Sequence, residues 1–202
     1  MRLAEDLGWH FLDSGALYRL VAVAAMDRAI HPDQHEELGQ LARELDVNFG
    51  VSGDGMVILL DGNYITGRLR SAEVSVRASQ IAAVPLVRDA LVARQRAFRQ
   101  MPGLVADGRD MGTVIFPDAS LKIFLTASAE ARAERRYKQL KEKGESVNLS
   151  RLFREIKERD ERDSSRAVAP LRPAGDAHIV DSTEMTIEDV LHAVKNLYED
   201  TL

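Results

Sequence analysis

The sequence predicts an α/β fold built on a parallel sheet, and three observations predict it. Apolar runs of strand length recur along the chain, at LVADG (104–108), LKIFLTAS (121–128) and HIVDS (178–182). Each run ends in polar residues, and helical segments lie between and after them. Strands alternating with helices make parallel sheets, whose ligands bind beyond the C-terminal strand ends.

Taken in order, MRLAEDL (1–7) reads as the last turns of a helix stopping at Gly8, with no capping residue ahead of it. WHFLD is a short strand, and Ser14, after Asp13, is the expected N-cap of a helix from about Gly15 to Ile30, giving a βα unit. From His31 the pattern changes to a helix near Asp33–Leu45, then the strand-like runs VNFGV and MVILLDG, punctuated by Gly53, Gly55 and Gly62, and an ITGRLR segment. This is the signature of an inserted α+β lobe. The helical stretch Ser71–Gln100 contains Pro85, which removes a backbone donor and divides it in two, with proline opening the second helix. Between Ala129 and Arg166 the charge density of EARAERRYKQLKEK and SRLFREIKERDERDSSR fits either solvated helices laced with ion pairs or an arginine-rich lid.

Composition narrows the function. The 202 residues carry 27 Lys and Arg against 32 Asp and Glu, a net charge of −5, and no cysteine. Disulfides, thiolate zinc sites and cysteine nucleophiles are excluded, and an acidic balance argues against sequence-independent binding to nucleic acid. No signal peptide and no apolar run of about 18 residues is present, so the expectation is a cytoplasmic protein without membrane or nucleic-acid partners and with no required protein partner. His31 and His35 stand at i and i+4 with Pro32 between them, so no zinc site is expected.

Several groups could carry chemistry. In Asp107-Gly108-Arg109-Asp110, glycine admits a ligand to the backbone, arginine offers a planar fork for phosphate oxygens, and Asp110 can accept from an amino group. A DG turn with a surface ion pair is the alternative. LDSGALYR sets Ser14, Tyr18 and Arg19 at a helix N-terminus, where an anion would meet free amides, a hydroxyl and a guanidinium; an ordinary cap with a core tyrosine is the alternative. Arg159, Asp163 and Arg166, at i, i+4 and i+7, share a face if their helix continues, with Arg154 and Arg162 nearby. Ser79 and Arg88 bracket Pro85 and could face one pocket from consecutive helices.

In order and spacing, LDSGALYR, ASQIAAVPLVRDALVARQRAF, ADGRDMGTVIFPDA with KIFLTAS, and EIKERDERDSSRAVAPL followed by DAHIVDST resemble bacterial cytidylate kinases, from about Leu7 to the C-terminal helix. The resemblance implies a P-loop nucleoside monophosphate kinase fold: a parallel-sheet core (1–30, 86–131 and 167–202), a CMP-binding lobe with its insertion (31–85) and a helical lid (132–166). It implies transfer of the ATP γ-phosphoryl, with Mg2+, to CMP or dCMP. Carried over by motif, Ser79, Arg88 and Asp110 would read the cytosine edge. Arg19 and Arg109 would clamp the CMP phosphate, with Ser14 and Tyr18 lining that site and the ligand as the expected partner of Arg109. Asp163 with Arg159 and Arg166 would hold the pentose and phosphates. Arg19, Arg109, Arg159 and Arg166 would stabilise the transferring charge. Arg136 and Arg154 would fall to ATP, and Asp107 would position hydrated magnesium.

The chain departs from this pattern in one respect. The family's Gly-rich G-x-x-x-x-G-K-[ST] loop, with its strand and helix start, is not found, and no Gly-Lys dipeptide occurs anywhere. The expectation is a missing N-terminal segment of about 20 residues. Three readings stay open, the first two being a CMP kinase whose loop lies outside these residues and a CMP-binding remnant unable to hold ATP productively. A relative acting on another small acceptor is a third.

Overall fold

A computed structural model describes residues 1–52 and 55–201. Gly53, expected as a turn glycine, lies outside the described residues. The chain divides into two compact units, Met1–Gly108 and Arg109–Leu202.

In the first unit, α1 (Arg2–Leu7) ends where Gly8 takes φ 64°, a left-handed conformation that glycine adopts without cost. Strand β1 (His10–Asp13) leads directly into α2 (Ser14–Asp27). The N-cap of α2 is Asp13, whose carboxylate accepts from Ala16 N at 3.0 Å; this corrects the expectation of Ser14, which is the first helical residue. Both residue types cap well, and the strand places Asp13 at the extended position that a cap requires. The helix also ends at Asp27, short of Ile30, because Ala29 turns to φ 53°.

Leu20 to Ala25 are each no more than 1% exposed, so α2 is apolar all round its middle turns and runs through the core of this unit. Against it lies α3 (His35–Arg43), followed in the inserted segment by the antiparallel strands β2 (Val47–Ser52), β3 (Gly55–Leu60) and β4 (Asn63–Tyr64). A 3-10 turn at Arg68–Arg70 leads into α4 (Ala72–Ile81), and α5 (Pro85–Arg96) begins on its proline as expected. Helix α3 approaches α5 closely through Gly39, where an added β-carbon would lie 2.7 Å from Leu86 Cβ. On α5 the buried positions are Val87, Arg88, Leu91 and Gln95, one helical face that includes two polar side chains. Strand β5 (Leu104–Asp107) pairs in parallel with β1, Asp13 opposite Asp107. At the start of this pair Trp9 lies over Gly103, where a β-carbon would come within 2.5 Å of the indole.

The second unit opens on a π-helical turn, Met111–Ile115, that no sequence pattern announces. Strands β6 (Ile123–Thr126) and β7 (His178–Asp181) pair in parallel. Between them stand α6 (Ala129–Glu142), capped by Ser128, and α7 (Leu149–Ser165), capped by Asn148. Helix α8 (Ile187–Glu199) opens on a capping box formed by Thr186 and Asp189. The parallel α/β reading therefore holds within each unit as one parallel pair with helices. No described helix is long and apolar enough to cross a membrane.

Candidate functional site

The βα corner of the first unit brings together the residues expected at an anion-binding helix terminus. Asp13 closes the first turn of α2, and its other carboxylate oxygen lies 3.5 Å from Arg19 Nη1. The guanidinium folds back on this turn, since a β-carbon at Gly15 would lie 3.6 Å from Arg19 Nη2 and 3.1 Å from Asp13 Oδ1. Ser14 is 2% exposed and donates to Gln95 Oε1 at 2.7 Å, reaching across 81 residues of chain. One turn along α2, the ring of Tyr18 lies beneath Arg88, whose guanidinium carbon is 5.9 Å from the ring centroid. Arg88 is 5% exposed and donates to Ala82 O at 3.1 Å. Ser79, on α4, is buried as well.

Proline explains the local geometry around Ser79 and Arg88. Val84 is held extended ahead of Pro85, which stops α4 and restarts the chain as α5. The two helices thus carry Ser79 and Arg88 within the same unit. Asp107 ends β5 in register with Asp13, placing two carboxylates at the C-terminal end of one parallel pair. Oxygen donors of this kind suit magnesium.

In the second unit the arginines gather around carboxylates. Asp163, on α7 and 5% exposed at its side chain, accepts from Arg109 Nε at 3.1 Å and has Arg159 Nε at 3.7 Å. Arg109, expected to be reserved for the ligand, thus has a protein partner, and its own side chain is 39% exposed. Leu171 N donates to the Asp163 carbonyl at 2.7 Å, so the segment after α7 folds back onto the same residue. Asp110, beside Arg109, is 3% exposed.

The helix that was to carry Arg159, Asp163 and Arg166 does not continue through Arg166. The helix stops at Ser165, Arg166 is extended at ψ 141°, and its Nε donates to Ala169 O at 2.5 Å. Of the two arginines expected on the ATP side, Arg136 lies half-buried on α6 and Arg154 is exposed on α7.

The roles of four residues escaped the sequence reading. Gln95 is wholly buried against Ser14, and Asp13 serves as both cap and partner of Arg19. Arg132 joins α6 to α7 by donating Nη1 and Nη2 to Asp160 at 2.9 and 2.5 Å. That bond is the main reason the Arg132 pKa is raised, opposed by desolvation. Arg135 fastens the segment after β7, donating to the carbonyls of Ser182, Thr183 and Met185. The charged stretch is therefore neither purely solvated nor purely ligand-directed: some of its arginines are spent on structure, while Arg109 and Arg159 converge on one buried carboxylate.

Comparison with known proteins places this geometry. The family profile described as cytidylate kinase matches residues 1–200. The chain is 60% identical over 194 residues to the cytidylate kinase of Stutzerimonas stutzeri, covering 95% of this chain and 85% of that protein. It is 57% identical over 200 residues to the cytidylate kinase of Aeromonas salmonicida, covering 99% and 87%. Against that of Marinomonas sp. it is 57% identical over 193 residues, covering 95% and 85%. A family match over nearly the whole length, on a mixed α/β scaffold with parallel strands, shows that the chain belongs to the cytidylate kinases, which are ATP-dependent phosphotransferases.

Proposed function

We propose that this chain transfers the γ-phosphoryl group of ATP to the phosphate of CMP or dCMP, giving CDP or dCDP and ADP. One observation carries the residue-level reading. Among the described residues the buried polar or charged side chains are Ser14, Ser79, Arg88, Gln95, Asp110, Asp163 and Ser182, and five of these are among the residues that the resemblance assigns to the acceptor nucleotide. Polar groups are costly to bury, and a core that keeps so many at these positions is using them.

In this reading Ser79, Arg88 and Asp110 recognise cytosine, whose exocyclic amine suits a carboxylate and whose acceptors suit a guanidinium and a hydroxyl. Arg19 and Arg109 hold the acceptor phosphate, with Ser14 and Tyr18 beside it, and Asp163 with Arg159 and Arg166 holds the pentose and phosphates. Phosphoryl transfer asks for alignment and for cations that spread over the equatorial oxygens, and arginine supplies permanent charge in a bidentate fork. Closure of 132–166 as a lid over the core (1–30, 86–131, 167–202) and the CMP lobe (31–85) would exclude water, which otherwise would accept the phosphoryl group. Magnesium, when bound, would neutralise charge on the donor phosphates, and Asp107, in register with Asp13, would hold it through water. Arg136 and Arg154 complete the donor side. The reaction fits a cytoplasmic enzyme and calls for no nucleic acid, membrane or protein partner.

A second reading rests on a specific observation: no Gly-Lys dipeptide, the hallmark of the family's lysine-bearing phosphate loop, occurs in the 202 residues. Removing even one preorganised donor from such a cradle costs about 2.7–4 kcal/mol in the transition state. The reading it favours is a CMP-binding remnant that does not hold ATP productively. The deciding experiment gives the 202-residue chain Mg-ATP and CMP, follows CDP directly, and measures CMP binding in the same preparation. CDP formation supports the kinase reading with the donor held by another segment. Binding without turnover supports an acceptor site separated from its donor loop, and absence of both overturns the acceptor site.

A further inference from the structure

The Ser14–Gln95 pair contains an imbalance. Gln95 is 0% exposed, its Oε1 accepts the Ser14 proton at 2.7 Å, and its buried Nε2 has no hydrogen-bond partner among the described residues. A glutamine amide carries two donors and an acceptor of similar reach at its two ends, so a half-turn of the last side-chain torsion exchanges them. In the arrangement seen, the Ser14 proton is consumed inside the protein and a buried donor is left idle. In the turned arrangement, Nε2 donates to Ser14 Oγ and the hydroxyl proton becomes available, leaving a buried acceptor idle instead, which proteins tolerate more readily than an orphan donor.

The surroundings say what the released proton would meet. Ser14 is the first residue of α2, a 14-residue helix, and Arg19 folds its guanidinium over that first turn. The Ala16 amide is taken by Asp13, so at this end of the helix the Ser14 hydroxyl is the side-chain donor that can be switched on beside Arg19. An anion drawn to Arg19 and the positive helix end provides a stronger acceptor than a neutral amide oxygen.

We propose that Gln95 is a positioning residue for the acceptor phosphate: as the phosphate monoester binds at the N-terminus of α2, the Gln95 amide turns, Nε2 donates to Ser14 Oγ, and Ser14 donates to a phosphate oxygen. The proposal rests on the reading of this corner as the phosphate end of the acceptor site. It explains a buried glutamine at this place in α5: leucine could not orient the hydroxyl, and glutamate could only accept, pinning the Ser14 proton away from the ligand.

The test compares CMP with cytidine, which lacks the phosphate, by calorimetric binding to the 202-residue chain and its Gln95→Glu, Gln95→Met, Ser14→Ala and Gln95→Glu/Ser14→Ala variants. Expected is a loss of CMP affinity of about tenfold in Gln95→Glu and about threefold in Gln95→Met, the scale of one charge-assisted and one neutral hydrogen bond, with cytidine affinity unchanged. Ser14→Ala should add little to Gln95→Glu, because the serine is already pinned. Gln95→Met introduces no buried charge and keeps the test alive if Gln95→Glu does not fold. Equal losses for CMP and cytidine, or an unchanged CMP affinity in Gln95→Met, would overturn the proposal and make Gln95 a packing residue. Failure of the parent chain to bind CMP while binding cytidine would overturn the phosphate-site reading and this proposal with it.

Discussion

Arg109 Nε donates to Asp163 Oδ2 at 3.1 Å across 54 residues of chain, and the carboxylate is 5% exposed while the guanidinium is 39% exposed. One partner is thus committed to the interior and the other faces outward, so the pair can anchor one end and still offer the fork's remaining nitrogens to a phosphate. A purely structural pair and a ligand clamp make different demands on these two residues.

Arg109→Ala leaves Asp163 buried with Arg159 at 3.7 Å as its remaining ion-pair partner, and should cost about 1–3 kcal/mol of stability. In an Asp163→Asn background that cost should shrink, because no buried charge is stranded. The loss of CMP affinity and turnover should persist in both backgrounds. Thermal melts run beside CMP titrations separate the two, and an affinity loss that shrinks along with the stability loss would assign Arg109 to structure.

Arg88 stands over Tyr18 and donates to the Ala82 carbonyl from an almost fully buried position. Arg88→Met should weaken CMP about tenfold or more, the scale of a hydrogen bond to a charged group. Ser79→Ala should narrow the preference for CMP over UMP. Unchanged discrimination between the two nucleotides after the serine change would remove Ser79 from the base site.

The second unit should be acid-sensitive. Asp176, Asp181 and Asp189 are each held below the usual carboxylate range, chiefly by side-chain hydrogen bonds from Lys122, Thr183 and Thr186 respectively. A depressed folded-state pKa contributes stability that is fully present above the unfolded value and is lost as pH falls through the folded one. The melting temperature should therefore decline as pH drops below about 4, and Asp189→Asn should flatten that decline. A variant with the same pH slope as the parent would show that the Thr186 cap does not couple to folding.

Close backbone approach gives two further stability predictions. Gly39→Ala would place a β-carbon 2.7 Å from Leu86 Cβ and push α3 off α5; Gly103→Ala would place one 2.5 Å from the Trp9 ring. Each should cost about 1–3 kcal/mol through overpacking, read from denaturant midpoints. Gly67→Ala, where a β-carbon meets nothing within 4 Å, is the control.

What was legible in the sequence follows from how far its cause reaches. Gly8, Pro85 and the four parallel strands were visible because a glycine stop, a proline start and an apolar run act within a few residues. The cap of α2 was misplaced by one residue because Asp13 and Ser14 are both good caps and only the end of β1 decides between them. The end of α7 at Ser165 was not legible, because the chain turns extended at Arg166 and returns Leu171 onto Asp163, a tertiary bond with no local signature. Gln95 was invisible for the same reason, its partner lying 81 residues away, although its position seven residues after Arg88 on a buried helical face was the available clue. Of the residues that the resemblance pointed to, Ser14, Ser79, Arg88, Asp110 and Asp163 are buried, a property of the packed chain that no local pattern shows.

Trp9, the sole tryptophan of the chain, sits over Gly103 at the start of the β1–β5 pair, which makes the protein a self-labelled instrument. Its emission reports opening of the first unit alone, whereas far-ultraviolet dichroism sums the helices of both. Superimposable denaturation curves from the two signals would mean that one cooperative transition spans the chain; a displaced pair would resolve the two units into separate transitions without any label being introduced.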